Sequence, residues 1–253
     1  MSGLINNNLP LESFPDDVFL VSYPKSGRTW LRFLIGNYLS NNQLDFPSSY
    51  QDLVTDIDYN PQQASQVQRP RFITSHWPFT SDFRRVVYVV RDGRDVAVSY
   101  YFHVMKFKTI SRETTFEDFV LNMFDTSLYG NVSWSDHVNY WLDKAPQDFL
   151  LVKYEAIHEN PVGELIKILE FAGLTVDNNT AIAAVEAAKF ENLIKFEKSL
   201  EQIKHEVVSS SDLSIKFFRE GKVGDYKKFF TTQLMDHFLE VHGSALERLG
   251  YLT

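Results

Sequence analysis

The sequence predicts an α/β fold with a central, mainly parallel sheet flanked by helices, and three observations carry that expectation. Apolar runs of strand length alternate with stretches of helical periodicity along most of the chain. The strongest run, residues 84–90, is apolar almost throughout, which suits a parallel strand covered on both faces. Of 253 residues 44% are hydrophobic and 15% aromatic, enough for a packed core, and no repeat, low-complexity tract or linker divides them, so a single domain over 1–253 is expected.

In chain order, residues 1–16 read as a short flexible N-terminus with neither the basic nor the apolar region of a secretory signal. Residues 17–23 form a buried strand that Pro24-Lys25-Ser26-Gly27 breaks. A helix follows from about Arg28, with Trp30, Leu31, Leu34, Ile35 and Tyr38 on one stripe. Residues 40–70, rich in Asn, Gln, Ser and Pro, read as a long surface segment with one short helix. Strands are expected at 71–75, ending at His76, and at 84–90, ending at Arg91. A helix then starts near Asp92-Gly93 with Val96, Ala97, Tyr100 and Tyr101 inward. Helices at about 115–126 and 133–144, a strand at 149–153 and a helix at 161–172 closed by Gly173 come next. Residues 178–204 read as helical, 205–216 as a mobile Ser-rich loop, and 231–248 as an amphipathic helix.

Charge and composition remove several function classes. Lys and Arg number 25 against 33 Asp and Glu, a net charge of −8, so the chain lacks the cation excess with which a non-specific nucleic-acid binder neutralises phosphates. The absence of cysteine excludes disulfides, thiolate nucleophiles and thiolate metal sites. No stretch has the roughly 20 apolar residues needed to span a bilayer, so a soluble cytoplasmic protein without membrane partners is expected. The seven histidines show no metal-ligand spacing, and no metal is expected.

The segment Tyr23-Pro-Lys25-Ser26-Gly27-Arg28-Thr29-Trp30 between a strand and a helix is the informative one. A helix N-terminus offers unpaired N–H groups and partial positive charge to an anion. Gly27 permits close backbone approach, Ser26 and Thr29 supply hydroxyls, and Lys25 and Arg28 add charge. A Walker A loop it is not, because the Lys precedes the only Gly.

This segment resembles the 5′-phosphosulfate loop of the cytosolic-type sulfotransferases, which move a sulfuryl group from 3′-phosphoadenosine 5′-phosphosulfate (PAPS) to an acceptor and release adenosine 3′,5′-bisphosphate (PAP). Three further windows match in order. Arg91-Asp-Gly-Arg-Asp-Val-Ala-Val-Ser99 resembles the 3′-phosphate motif, and Lys153-Tyr154-Glu155 with Glu159-Asn160-Pro161 resembles the family's central stretch. Arg219-Glu-Gly221-Lys-Val-Gly224-Asp-Tyr resembles the C-terminal segment. The resemblance implies that Lys25 holds the oxygen bridging phosphate and sulfuryl, while Ser26, Gly27, Arg28 and Thr29 bind the 5′-phosphate. Trp30, Tyr154 and Phe190 would surround adenine. Arg91, Ser99, Arg219 and the Gly221 backbone would clamp the 3′-phosphate, with Phe218 completing the donor site. His76, in Thr74-Ser75-His76-Trp77-Pro78, matches the catalytic base, with His103 as the fallback.

Some positions depart from the pattern. Thr74 stands where many animal members have Lys, Arg28 where a Thr is usual, Glu220 where a Lys follows the C-terminal Arg, and Ala188-Lys189 before Phe190 lacks the usual small hydroxyl residue. Glu220 is expected to point outward. Lys227, Thr231-Thr232 and Asp236 only approximate the family's dimerisation pattern, so a monomer or weak homodimer is expected. Trp77, Phe79, Phe102, Met105, Trp134 and the 205–216 loop are candidates to line the pocket of a small-molecule acceptor, whose hydroxyl (or, second, amine) would be sulfated. The acidic surface suggests a cationic natural product. Competing readings are a non-catalytic nucleotide-binding module and a nucleoside-phosphate kinase.

Overall fold

The computed structural model describes residues 12–41, 53–58, 61–64, 66–67, 69–125, 132–202 and 211–252. Five parallel strands, β1 (Val18–Ser22), β2 (Val54–Asp56), β3 (Phe72–Ser75), β4 (Arg85–Val90) and β5 (Asp148–Lys153), form one sheet in the order β2-β3-β1-β4-β5. Side chains alternate between two cores, as a pleated strand requires. Phe19, Val21, Val86, Tyr88 and Val90 face one core, and Val18, Leu20, Val87 and Val89 the other. Both faces are covered, which explains the unbroken apolar run of β4.

The first core is closed by α3 (Gly93–Lys106), α4 (Phe116–Asn122), α5 (Trp134–Asp143) and α10 (Thr232–Arg248), which contribute Val96, Phe119, Trp134 and Phe238. Helices α1 (Arg28–Leu39), α7 (Pro161–Phe171), α8 (Asn178–Ala187) and α9 (Phe190–Gln202) close the second with Leu31, Leu165, Ala184 and Leu193. The short helices α2 (Pro61–Ala64) and α6 (Tyr154–Glu159) follow β2 and β5. Helix α7 ends as expected, with Gly173 at φ 83° and the Leu174 N–H bonded back to the Leu169 carbonyl.

Three expectations need correction. Residues 54–56 form an edge strand, not loop: β2 pairs with β3, and the buried Arg32 donates twice to the Val54 carbonyl. Positions 178–202 hold two helices, broken at Ala188-Lys189. Residues 12–16 are tied down, because Arg71 donates to the Glu12 carbonyl and Arg69 pairs with Asp16. The remainder of the expected flexible N-terminus, 1–11, and 205–210 of the expected mobile loop lie outside the described residues.

Candidate active site

The chain leaves β1 toward β2 and β3 on one side, then crosses to β4 and β5 on the other. Such a reversal opens a crevice at the carboxyl ends of the strands, where α/β sheets place ligands. The first residues past four neighbouring strands meet there. In spatial order they are His76 after β3, the Lys25 loop after β1, Arg91 after β4 and Tyr154 after β5. A cleft of about 400 Å³ runs along this edge, lined by every donor-site and catalytic residue expected from the sequence except Ser26, which is buried.

The loop after β1 is built to receive an anion. Thr115, Ser133, Asp177 and Thr231 each cap the start of a helix with a side-chain oxygen, but α1 begins at Gly27 without a side-chain cap or an acidic residue in its first turn. Its leading N–H groups and dipole thus face the cleft. Ser26 Oγ and Arg91 Nε are two of six buried side-chain atoms without a hydrogen-bond partner among the described residues, and both are donors on the strand-end loops, which suits a phosphate supplying acceptor oxygens. Gly27 has φ 100°, and a Cβ there would stand 2.5 Å from Cδ2 of Tyr154. The residues therefore fit the nucleotide that the motifs imply. Gly27→Ala is expected to destabilise the fold by on the order of 1–3 kcal/mol, lowering the melting temperature and displacing the loop; an unchanged melting temperature would contradict this.

Lys25 itself has φ 69°, the left-handed region that a side chain tolerates only when its surroundings enforce it. Its ammonium lies 3.3 Å from His103 Nδ1 and 4.4 Å over the Phe217 ring. Burial, with the Arg91 and Arg28 cations adding to it, lowers the Lys25 pKa to about 7. Arg91 donates to the Lys25 and Lys222 carbonyls at 3.3 and 3.1 Å and lies 4.4 Å over the Tyr154 ring. Buried Asp95 accepts from the Gly224 and Tyr226 N–H groups at 2.7 and 2.9 Å, fastening the segment with Arg219 and Gly221 over the cleft. At Gly221, φ 60°, a Cβ would stand 2.7 Å from the Phe190 ring.

His76 is held on two sides. Its Nδ1–H donates to the Ser22 carbonyl at 2.6 Å, a tautomer that puts the ring's lone pair on Nε2. Its backbone N–H donates to Asp58 at 2.7 Å, and Asp58 also accepts from Ser75 Oγ and Arg28. Burial, reinforced by Arg28, depresses the imidazole pKa well below its ordinary 6.5, so the ring is neutral at physiological pH.

The departures now have local explanations. Thr74 donates to the Thr55 carbonyl at 3.1 Å and belongs to the sheet. Arg28 pairs with Asp56 and Asp58 at 3.0 and 2.9 Å, so its charge is largely answered. Glu220, expected to point outward, instead lines the cleft, where its carboxylate lies 3.4 Å from Lys222. Trp30 donates its Nε1–H to the Ala188 carbonyl at 3.0 Å and meets Tyr154 edge-on, leaving it part of the wall beside Phe190 and His158.

Of the acceptor-pocket candidates, Phe102 lines the cleft. Trp134 is fully buried, its ring packed where a Gly93 Cβ would be 2.8 Å away. Trp77 and Phe79 pack on the core against Phe83 and Trp141, and Met105 faces a different depression with Arg112 and Leu213. The sequence reading missed Phe217, His158 and Lys106 in the cleft wall. It also missed Glu197, which pairs with Lys106 at 3.3 Å and accepts from the N–H groups of Phe217 and Phe218. A heptad-like face on α3 could have revealed Lys106, since Ser99, Phe102, His103 and Lys106 fall at one helical period. Among the described residues no cluster of His, Asp and Glu could hold a metal, and no helix is long and apolar enough to cross a membrane.

Residues 15–250 match the model of the sulfotransferase domain. The chain is 30% identical to sulfotransferase 1E1 of Bos taurus over 90% of its own length and 82% of that protein's. Its fold is similar to that of mouse sulfotransferase SULT7A1 complexed with PAP, with a TM-score of 0.70 and 25% identity over 93% of this chain and 85% of the other. It also resembles retinol dehydratase crystallised with retinol and PAP, with a TM-score of 0.73 and 22% identity over 95% and 83% of the two chains. The chain belongs to the family of PAPS-dependent sulfotransferases.

Proposed function

We propose that the protein transfers the sulfuryl group of PAPS to a hydroxyl of a small-molecule acceptor, with His76 as general base and Lys25 as the cation that stabilises the departing phosphate. The observation that carries this reading is the order of His76, Lys25, Arg91 and Tyr154 along the strand ends. That order supports a donor whose nucleoside lies toward β5 and whose sulfuryl group lies between Lys25 and His76. The acceptor oxygen attacks sulfur as its proton passes to His76 Nε2, and the bond from sulfur to the bridging oxygen breaks. The negative charge left on PAP is met by the Lys25 ammonium and the α1 N–H groups. Arg91, Arg219 and Ser99 would hold the 3′-phosphate, an arginine fork meeting phosphate oxygens two at a time.

The cleft argues against the cationic acceptor that the acidic surface suggested. Among the described residues Glu220 is the one carboxylate lining it, and Lys222 stands 3.4 Å away, so the wall offers an ammonium acceptor no anion without a cation of its own. A buried imidazole with depressed basicity is a weak base, and it suits a hydroxyl that ionises readily, a phenol near pH 10, better than an alkyl alcohol. Transfer of labelled sulfuryl from PAPS to a phenol, an alkyl alcohol and an amine of matched size tests this. The phenol is expected to react fastest and the amine slowest; an amine that outpaces the phenol overturns the acceptor assignment.

A further inference from the structure

Lys25 leaves β1 and His103 stands in the last turn of α3, yet their side-chain nitrogens are 3.3 Å apart. We propose that His103 is a positioning residue for Lys25, its neutral imidazole accepting a hydrogen bond from the ammonium and holding it at the strand-end junction between donor and acceptor. The inference rests on the reading that Lys25 acts on the donor.

The groups around the ammonium explain why an imidazole serves here. Arg91 from the end of β4 and Arg28 from α1 are cations acting on it, His76 lies near it at the end of β3, and Lys106 from α3 acts on His103. Glu197 on α9 is the carboxylate on this side, and Lys106 with the N–H groups of Phe217 and Phe218 engages it. Burial, then Lys25 and Lys106, push the His103 pKa down to about 2, so its ring is neutral and able to accept. With Nδ1 accepting, the ring proton resides on Nε2. A carboxylate in this place would cancel the lysine charge and compete with the donor. A neutral acceptor fixes the side chain without an opposing charge that competes with the bridging oxygen. Phe107 and Phe217, with centroids 4.7 and 5.9 Å from the imidazole, hold the ring itself.

The test compares His103→Phe, which removes the acceptor, with His103→Asn, whose amide oxygen can take the place of Nδ1; His103→Leu is the second apolar variant should the first fold poorly. Acylation of Lys25 is followed by mass spectrometry against pH in the donor-free proteins. Losing the acceptor destabilises the ammonium, so the Lys25 midpoint is expected to fall by about half a pH unit in the Phe or Leu variant and to return in the Asn variant. The alkaline limb of kcat/KM for PAPS should move the same way, with about a tenfold loss in the apolar variant. A Lys25 midpoint unchanged in the apolar variants, or not restored by Asn, overturns the proposal whatever the activity does. Midpoints that shift as expected in a protein that sulfates no acceptor would keep the contact and remove the functional reading instead.

Discussion

Replacing His76 by Asn is expected to lower kcat by about 10²–10⁴-fold, the range that general base catalysis supplies, while leaving PAP binding and the fold in place. The Asn amide can still donate to the Ser22 carbonyl, the bond that now fixes Nδ1 at 2.6 Å. The backbone N–H bond to Asp58 does not depend on the side chain. Only the Nε2 lone pair is lost. The pH profile carries a second expectation. Because burial and Arg28 depress the His76 pKa, the base-competent neutral ring persists below pH 6.5, and the acid limb of kcat/KM should lie below that value. An acid limb at or above 6.5, or full activity in His76→Asn, would show that another group takes the proton.

Replacing Lys25 by Met is expected to lower kcat by about 10²–10³-fold, as removal of one preorganised electrostatic donor does. The same substitution should not lower the melting temperature of the unliganded protein. Burial and the neighbouring Arg91 and Arg28 disfavour the charged lysine, which is what brings its pKa to about 7. Met conserves the length and apolar stem of the side chain and removes the buried charge. The sign follows from linkage. A cation disfavoured in the fold lowers stability progressively as pH falls below its ordinary value of 10.5 and fully below its folded value of about 7, and deleting it relieves that cost at acid and neutral pH. A Met variant that retains activity would contradict the role; one that is inactive and unfolded at room temperature would contradict the electrostatic argument.

Apart from Ser26, the residues expected from the sequence to form the donor half of the site line one cleft, and their signals are local. The loop from Tyr23 to Trp30, Arg91 at a strand end and the 219–226 segment each carry their chemistry within a few residues, and the cleft gathers them. What sequence could not supply is non-local. Strand β2 is three residues in a polar stretch and exists by pairing with β3 and by the Arg32 bonds to Val54, neither of which leaves a pattern in residues 54–56. Asp58 supports His76 from 18 positions away, and Glu197 fastens Phe217 and Phe218 across 20 and 21 positions. Three aromatic candidates for the acceptor pocket lie outside the cleft wall for the same reason, although Phe102 lines it. Trp134, Trp77 and Phe79 have the composition of a pocket wall, and only tertiary packing assigns them to the core.

If the strand-end cleft holds PAPS, adding PAP without metal should raise the melting temperature, and ATP, the control, should not. A ligand at about 100 times its dissociation constant stabilises the native state by roughly 2.7 kcal/mol. At about 2–4 °C per kcal/mol for a chain of this size, the rise should be roughly 5–11 °C. ATP lacks the 3′-phosphate that Arg91 and Arg219 are placed to hold, and should shift the transition little. A several-degree rise with PAP and little with ATP is the predicted result; no rise with PAP, or an equal rise with ATP, would contradict the assignment of this cleft.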